Sequence, residues 1–248
     1  MLVLLPPSET KRAGGADGSR LDYAALSYPE LTKPRRAAID ALRRLSRNLA
    51  AATGALRLGG TQAAEVARNR IILTSPVMAA IDRYDGVLYE GLDAASLTGA
   101  QRAFAGRHVA IASAAFGLTG ALDPIPAYRL SHDSRLPGLS LLRLWRAPLA
   151  SLLASTDGLL LDLRSEAYAA LGPLPDRPDA LSVRVVSEDA AGRRRALNHF
   201  NKKGKGEFAR RIVVAGVVHA DADALLAWAA GAGIRLERGA PGELDLVV

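Results

Sequence analysis

The segment Asn198–Ala215, NHFNKKGKGEFARRIVVA, sets lysines and glycines together in a pattern suited to an anionic ligand. Read as a helix from Lys202, it carries Lys202, Gly206 and Arg210 on one stripe at i, i+4, i+8. Lys203, Glu207 and Arg211 form the next stripe, where Glu207 can bridge two cations at about 0.2–0.5 kcal/mol each. Phe208, Ile212 and Ala215 are expected to face the core. Gly204 and Gly206 each cost about 1 kcal/mol in a helix interior. Beside lysines they would let a phosphate approach the backbone, which side chains would block. The plainer alternative is an exposed, salt-bridged helix with incidental glycines. Neither GxxxxGK[ST] nor GxGxxG occurs, so this is neither a Walker loop nor a dinucleotide fingerprint.

The charge is concentrated in the same place. From Arg193 to Arg211 there are eight basic residues (Lys202, Lys203, Lys205 and Arg210 among them) and one acid, Glu207. The net charge of the chain is +7, and the other residues hold 24 of each sign, so the whole excess lies in that segment. Such self-repulsion points to an anionic partner, against the alternative of a solvated basic face. Residues 30–49 form a weaker patch of six basic and two acidic side chains.

Three further clusters combine polar groups with turns. Leu2–Lys11 reads as a strand ended by Pro6-Pro7, which places Ser8, Glu9, Thr10 and Lys11 at a sheet edge, where α/β proteins keep their sites. Gly158–Tyr168 places Asp162, Arg164, Ser165 and Glu166 beyond a buried strand; Asp162 must be paired there or its pKa will rise. Lys11, Asp162, Arg164 and Ser165 are the candidates for any catalysis, with Asp162 as an acid–base group. Structural roles, a capped turn and a buried ion pair, are the alternatives for both. Ser113–Leu130 has Gly117 and Gly120 in a tight loop and Asp123-Pro124 opening a turn. Its glycine spacing is compatible with the hairpin of a helix–hairpin–helix element, which offers backbone N–H groups to phosphate. His108, His132, His199 and His219 are scattered and form no HxxxH or HExxH, so no metal site is expected.

The elements that must position these groups follow from periodicity. Strands are expected at 1–5, 108–113, 158–163, 234–237 and 243–247, with a hairpin of arms 181–187 and 193–200 around Glu188–Gly192. Helices are expected at 34–52 (core residues Ile39, Leu42, Leu45 and Leu49), 76–84, 141–154 with a break at Pro148, 202–218, and after a cap at Asp221. Without strict βαβ alternation, this is a mixed α/β or α+β architecture, a single domain over 1–248. Apolar residues make up 49% and aromatics 5%, so packing rests on aliphatics. The chain has no cysteine, which excludes disulfides, zinc fingers and thiolate clusters and fits a reducing compartment. The apolar start is too short for a signal peptide and no apolar run reaches 18 residues, so a cytoplasmic protein without a membrane partner is expected.

Five stretches in order, LLPPSETK (4–11), RYDGVLYEGL (83–92), FGLTGALDPIPAYRL (116–130), LLLDLRSEAY (159–168) and NHFNKKGKGEFAR (198–210), resemble the YaaA peroxide-stress family, and ELDLV (243–247) resembles its final strand. The resemblance implies one compact mixed α/β domain with a helix–hairpin–helix element and a basic cleft. It implies binding of duplex or branched DNA with little sequence preference, limiting peroxide damage in connection with low free iron. Without cysteine or clustered histidine, any effect on iron is expected to be indirect, and no cofactor is expected. Carried over, the phosphate-binding candidates are Lys11, Arg129, Arg164, Lys202, Lys203, Lys205 and Arg210. The other cleft residues are Ser8, Tyr84, Tyr89, Asp123, Tyr128 and Tyr168. Two departures touch the hairpin: Phe116 stands where the family has Tyr, and Ala121-Leu122 replaces an Arg-Pro pair before Asp123. The rival expectation is an enzyme acting on a nucleotide, a nucleobase or another phosphate-bearing small molecule in the same cleft, with Lys202 or Lys203 clamping phosphate.

Overall fold

The computed structural model describes residues 1–59, 62–188, 194–196 and 200–248. Its strands are β1 (Leu2–Leu5), β2 (Val77–Ala79), β3 (Val109–Ser113), β4 (Gly117–Gly120), β5 (Pro124–Pro126), β6 (Leu160–Asp162), β7 (Ala180–Glu188), β8 (Arg194–Ala196), β9 (Leu236–Arg238) and β10 (Glu243–Val247). Its α-helices are α1 (Thr32–Leu45), α2 (Leu49–Ala55), α3 (Ala63–Arg70), α4 (Ala80–Arg83), α5 (Val87–Leu92), α6 (Gly99–His108), α7 (Leu141–Ala154), α8 (Glu166–Ala169), α9 (Phe200–Ala215) and α10 (Ala222–Gly231).

Among the described residues, eight strands make the main sheet in the order β4-β3-β1-β6-β7-β10-β9, with β8 also on β7. The five central strands run parallel, and β4, β8 and β9 are antiparallel to their neighbours. The centre is parallel because β1, β3 and β6 are buried on both faces along their whole length, as strands covered on two sides are. One cluster of buried residues runs from Leu2 to Leu246, giving a single compact mixed α/β domain. From β1 the chain steps to β3 on one side, then crosses to β6 on the other. That reversal puts a crevice outside the carboxyl ends of β1 and β6.

Several local expectations change. The expected helix at 34–52 is two helices, with Asn48 capping the second through its side chain and the Ala51 N–H. Leu49 is therefore on the surface at 46% exposure, since the break turns it off the stripe of α1. Arg35 leaves the basic patch: it is fully buried, donating to the carbonyls of Ser27, Phe116 and Leu118. Residues 76–84 begin as β2, paired with β5, and only then form the short α4. α7 passes through Pro148 unbroken, because its buried face, centred on Trp145, outweighs the lost hydrogen bond.

The segment 113–130 is not a helix–hairpin–helix element. β3 and β4 form an antiparallel pair there, followed by β5, and both Gly117 and Gly120 lie in β4. Gly117 takes φ 74°, and a Cβ on it would meet the Trp145 ring at 2.5 Å, so the residue serves the packing of α7. The hairpin of β7 and β8 forms in the register Val186↔Ala196. Residues 189–193 and 197–199, which hold its expected turn, Arg193, Asn198 and His199, lie outside the described residues. No helix among the described residues is long and apolar enough to cross a membrane.

Candidate anion-binding pocket

A cavity of about 570 Å³ sits at the carboxyl ends of β1 and β6. One wall is the loop that follows β1, Pro6 to Thr10; the start of α5, Gly86 to Leu88, closes it behind. Leu163 and Ser165, just past β6, form the floor with Tyr168. Ser131 and His132 line a further side, and Asn201, Lys202 and Lys205 face in from the first turns of α9. The positive end of that 16-residue helix adds to the two lysines.

The loop after β1 is held from outside the cavity. Tyr89 Oη donates to the Pro6 carbonyl at 2.8 Å, and Lys11 Nζ donates to the carbonyls of Ser8 (2.8 Å) and Glu9 (3.1 Å). Held in this way, the loop lines the cavity with Pro6 to Thr10. Proline at positions 6 and 7 ends the strand and fixes the direction of the wall. Glu9 itself pairs with Arg129 at 2.7 Å, so Arg129 braces the rim.

Lys11 does not line the cavity. It is 4% exposed, with Nζ 4.3 Å from the centre of the Tyr128 ring and 5.3 Å from that of Tyr84. Burial, and then Arg129, lower its pKa to about 7. Beside it runs a hydrogen-bonded chain: Ser113 Oγ to Tyr128 Oη at 2.6 Å, and Tyr128 Oη to Tyr84 Oη at 2.7 Å. Ser113 Oγ already accepts from the N–H groups of Ala115 and Phe116, so its hydrogen goes to Tyr128 and that of Tyr128 goes to Tyr84. Burial raises the pKa of Tyr84 to about 12 and pushes Tyr89, Tyr128 and Tyr168 upward as well.

The buried lysine has a consequence for stability. The unfolded value is 10.5, so between about pH 7 and 10.5 the unfolded chain binds more protons than the folded one. The penalty for Lys11 is absent above that range and complete below about pH 7. Stability should thus rise with pH across it, by at most about 1.4 kcal/mol per unit. Urea unfolding of the native chain and of Lys11→Met at pH 7 and 9 should show the native chain gaining about 2 kcal/mol relative to the variant. An equal difference at both pH values would contradict this.

The expected site residues divide. Ser8, Ser165, Tyr168, Lys202 and Lys205 line the cavity. Asp162 and Arg164 lie beneath it, joined by two side-chain hydrogen bonds of 2.8 and 2.6 Å, with Arg164 also on the Gly172 carbonyl. Lys203 is exposed and 3.7 Å from Glu207. Arg210 donates to the carbonyls of Leu92 and Asp93, capping the end of α5. Asp123 accepts from Ser27 Oγ and from the N–H groups of Ser27 and Gly120, and so ties a loop outside the cavity.

The glycines of α9 have another purpose than the one expected. A Cβ on Gly206 would overlap the Leu88 carbonyl oxygen, and one on Gly91 would sit 3.0 Å from the Lys203 oxygen. They let α5 and α9 touch backbone to backbone, which closes one corner of the cavity. On α9, Val213 is buried and Ala215 exposed, reversing the expectation for Ala215. Sequence reasoning missed Ser131 and His132, although they directly follow the AYRL segment, and Asn201, which sits between Phe200 and Lys202.

Comparison with known proteins matches residues 1–230 to a family described as peroxide stress protein YaaA. A UPF0246 protein of Corynebacterium efficiens is 40% identical over 255 residues, covering 100% of both chains. One from Corynebacterium glutamicum is 40% identical over 242 residues (96% of this chain, 95% of the relative), and one from Streptomyces coelicolor is 41% identical over 220 residues (87% and 84%).

Proposed function

The chain belongs to the YaaA family of peroxide stress proteins, and from that premise we propose that it serves the peroxide stress response by binding DNA with little sequence preference along the basic face of α9. The observation that carries the reading is the confinement of the whole +7 excess to residues 193–211. Within it, Lys202, Lys203 and Arg211 are exposed on α9, with Lys202 at the mouth of the pocket. Lys205 and Arg210 are turned inward, so the face is narrower than the sequence suggests. Cations seated on phosphates release condensed counterions, and displacing metal cations bound there would be an indirect route to less peroxide damage.

Binding to a random duplex should weaken steeply with salt, with a log–log slope of roughly −4 to −5 for four to six phosphate contacts. Replacing Lys202, Lys203 and Arg211 together by alanine should flatten that slope by about 2 to 3. Fluorescence anisotropy across several salt concentrations reads both. A salt-independent affinity, or no binding at low salt, would refute the reading.

A second reading, action on a nucleotide or nucleobase, is favoured by the size and place of the cavity. The cavity volume falls within the roughly 300–1,000 Å³ typical of small-ligand sites, and the cavity lies at the switch point of the sheet. Asp162 is committed to Arg164 in this arrangement, which leaves the cavity-lining groups to act.

A further inference from the structure

We propose that Lys205 is the amine of a carbonyl-capturing site, forming an imine at the foot of the pocket with a phosphate-flanked aldehyde, above all the ring-opened sugar of an abasic nucleotide. The preference for an abasic sugar rests on the DNA-binding reading; the amine chemistry rests on the pocket alone.

Two lysines of the described chain are buried, and they differ in one respect. Lys11 is walled off behind the loop with its amine on two carbonyls. Lys205 is only 8% exposed, yet its side chain lines the cavity. Among the described residues its Nζ has one hydrogen-bond partner, the Arg164 carbonyl at 3.2 Å, and forms no ion pair with a carboxylate. Burial lowers its pKa, which favours the neutral, nucleophilic amine. Lys202 lies three residues earlier on the same helix face, exposed at the rim. The pair therefore presents a shielded amine below a solvated cation, which is the spacing of chemistry needed by an aldehyde next to a phosphate. Leu88 and Leu163 make the lower walls apolar, and His132 and Ser131 supply groups able to relay protons.

The step balances without an oxidant. The Nζ lone pair attacks the carbonyl carbon, and the carbonyl oxygen takes up a proton. The nitrogen then loses its hydrogens as the oxygen leaves as water and the C=N bond forms. An abasic sugar is an aldehyde between two phosphates, and it arises when radicals strip bases from DNA, which places it in the chemistry of peroxide stress.

The test is borohydride trapping of the full chain on a duplex with one abasic site, read on a denaturing gel, with binding to the same duplex measured in parallel. A covalent adduct in the native chain that disappears in Lys205→Arg, with duplex binding retained, is the expected result. Arginine keeps the charge and the reach to the Arg164 carbonyl but cannot form the imine. Duplex binding without any adduct overturns the proposal and leaves the DNA reading intact. An adduct that persists in Lys205→Arg overturns the assignment to Lys205. Where the duplex does not bind at all, free pyridoxal 5′-phosphate with borohydride decides: modification mapped to Lys205 by peptide mass upholds the amine site, and its absence there overturns it.

Discussion

Replacing Asp162 by alanine should destabilise the protein by about 3–5 kcal/mol, because it strands a buried guanidinium. Arg164 binds both oxygens of Asp162, through Nε at 2.8 Å and Nη2 at 2.6 Å, and its own N–H reaches Oδ1 at 2.9 Å. The side chains are 1% and 4% exposed, so water cannot take the place of the lost carboxylate. The same pair deserves little credit for net stability, since two charges had to be desolvated to make it. A joint Asp162→Leu, Arg164→Met variant should accordingly lose much less than the single change. Urea unfolding of the three proteins measures the difference. A single-variant loss below about 1 kcal/mol, the level of an exposed pair, would show that the guanidinium finds another partner. The damage should also reach the pocket, because the Arg164 carbonyl holds Lys205 and Ser165 follows directly.

The fold was legible where burial is written into a run of residues. LVLL and VAIAS read as buried strands, which a central parallel position requires, and the cap at Asp221 follows from side-chain chemistry, whereas the break and cap at Asn48 inside the expected helix did not show. What could not be read was what lies opposite a residue. Lys11 is sequence-adjacent to a polar turn, yet an isolated bridge to Tyr84 turns it inward onto two tyrosines. Arg129 looks like a free cation until Glu9, 120 positions away, is found beside it. Arg210 looks like part of a phosphate-seeking stripe, but the end of α5 claims it. Periodicity assigns a face to each residue and says nothing about the neighbour that face will meet. The pocket follows the same division. Its place at the ends of β1 and β6 was foreseeable from two strand-then-polar motifs, whereas His132 comes from a loop with no periodic signal.

Gly206→Ala separates the two roles open to that glycine by the sign of its effect. On an exposed helix face, or one facing a ligand, alanine would stabilise the free protein by about 1 kcal/mol. Here the added methyl overlaps the Leu88 carbonyl oxygen, and the opposing Gly91 already places a Cβ position 3.0 Å from the Lys203 oxygen and 3.2 Å from the Glu207 nitrogen. Neither helix has a flexible side chain at this contact that could move aside; backbone meets backbone. The helices must separate, and overpacking of that kind should cost about 3 kcal/mol. Separation would also strain the hydrogen bonds from Arg210 to the end of α5 and shift Leu88 relative to Lys205 at the corner of the pocket where the two helices meet. Equilibrium unfolding in urea therefore gives a signed answer. A loss near 3 kcal/mol places the glycine at a helix contact, and a gain would return it to the phosphate-approach role that its lysine neighbours first suggest.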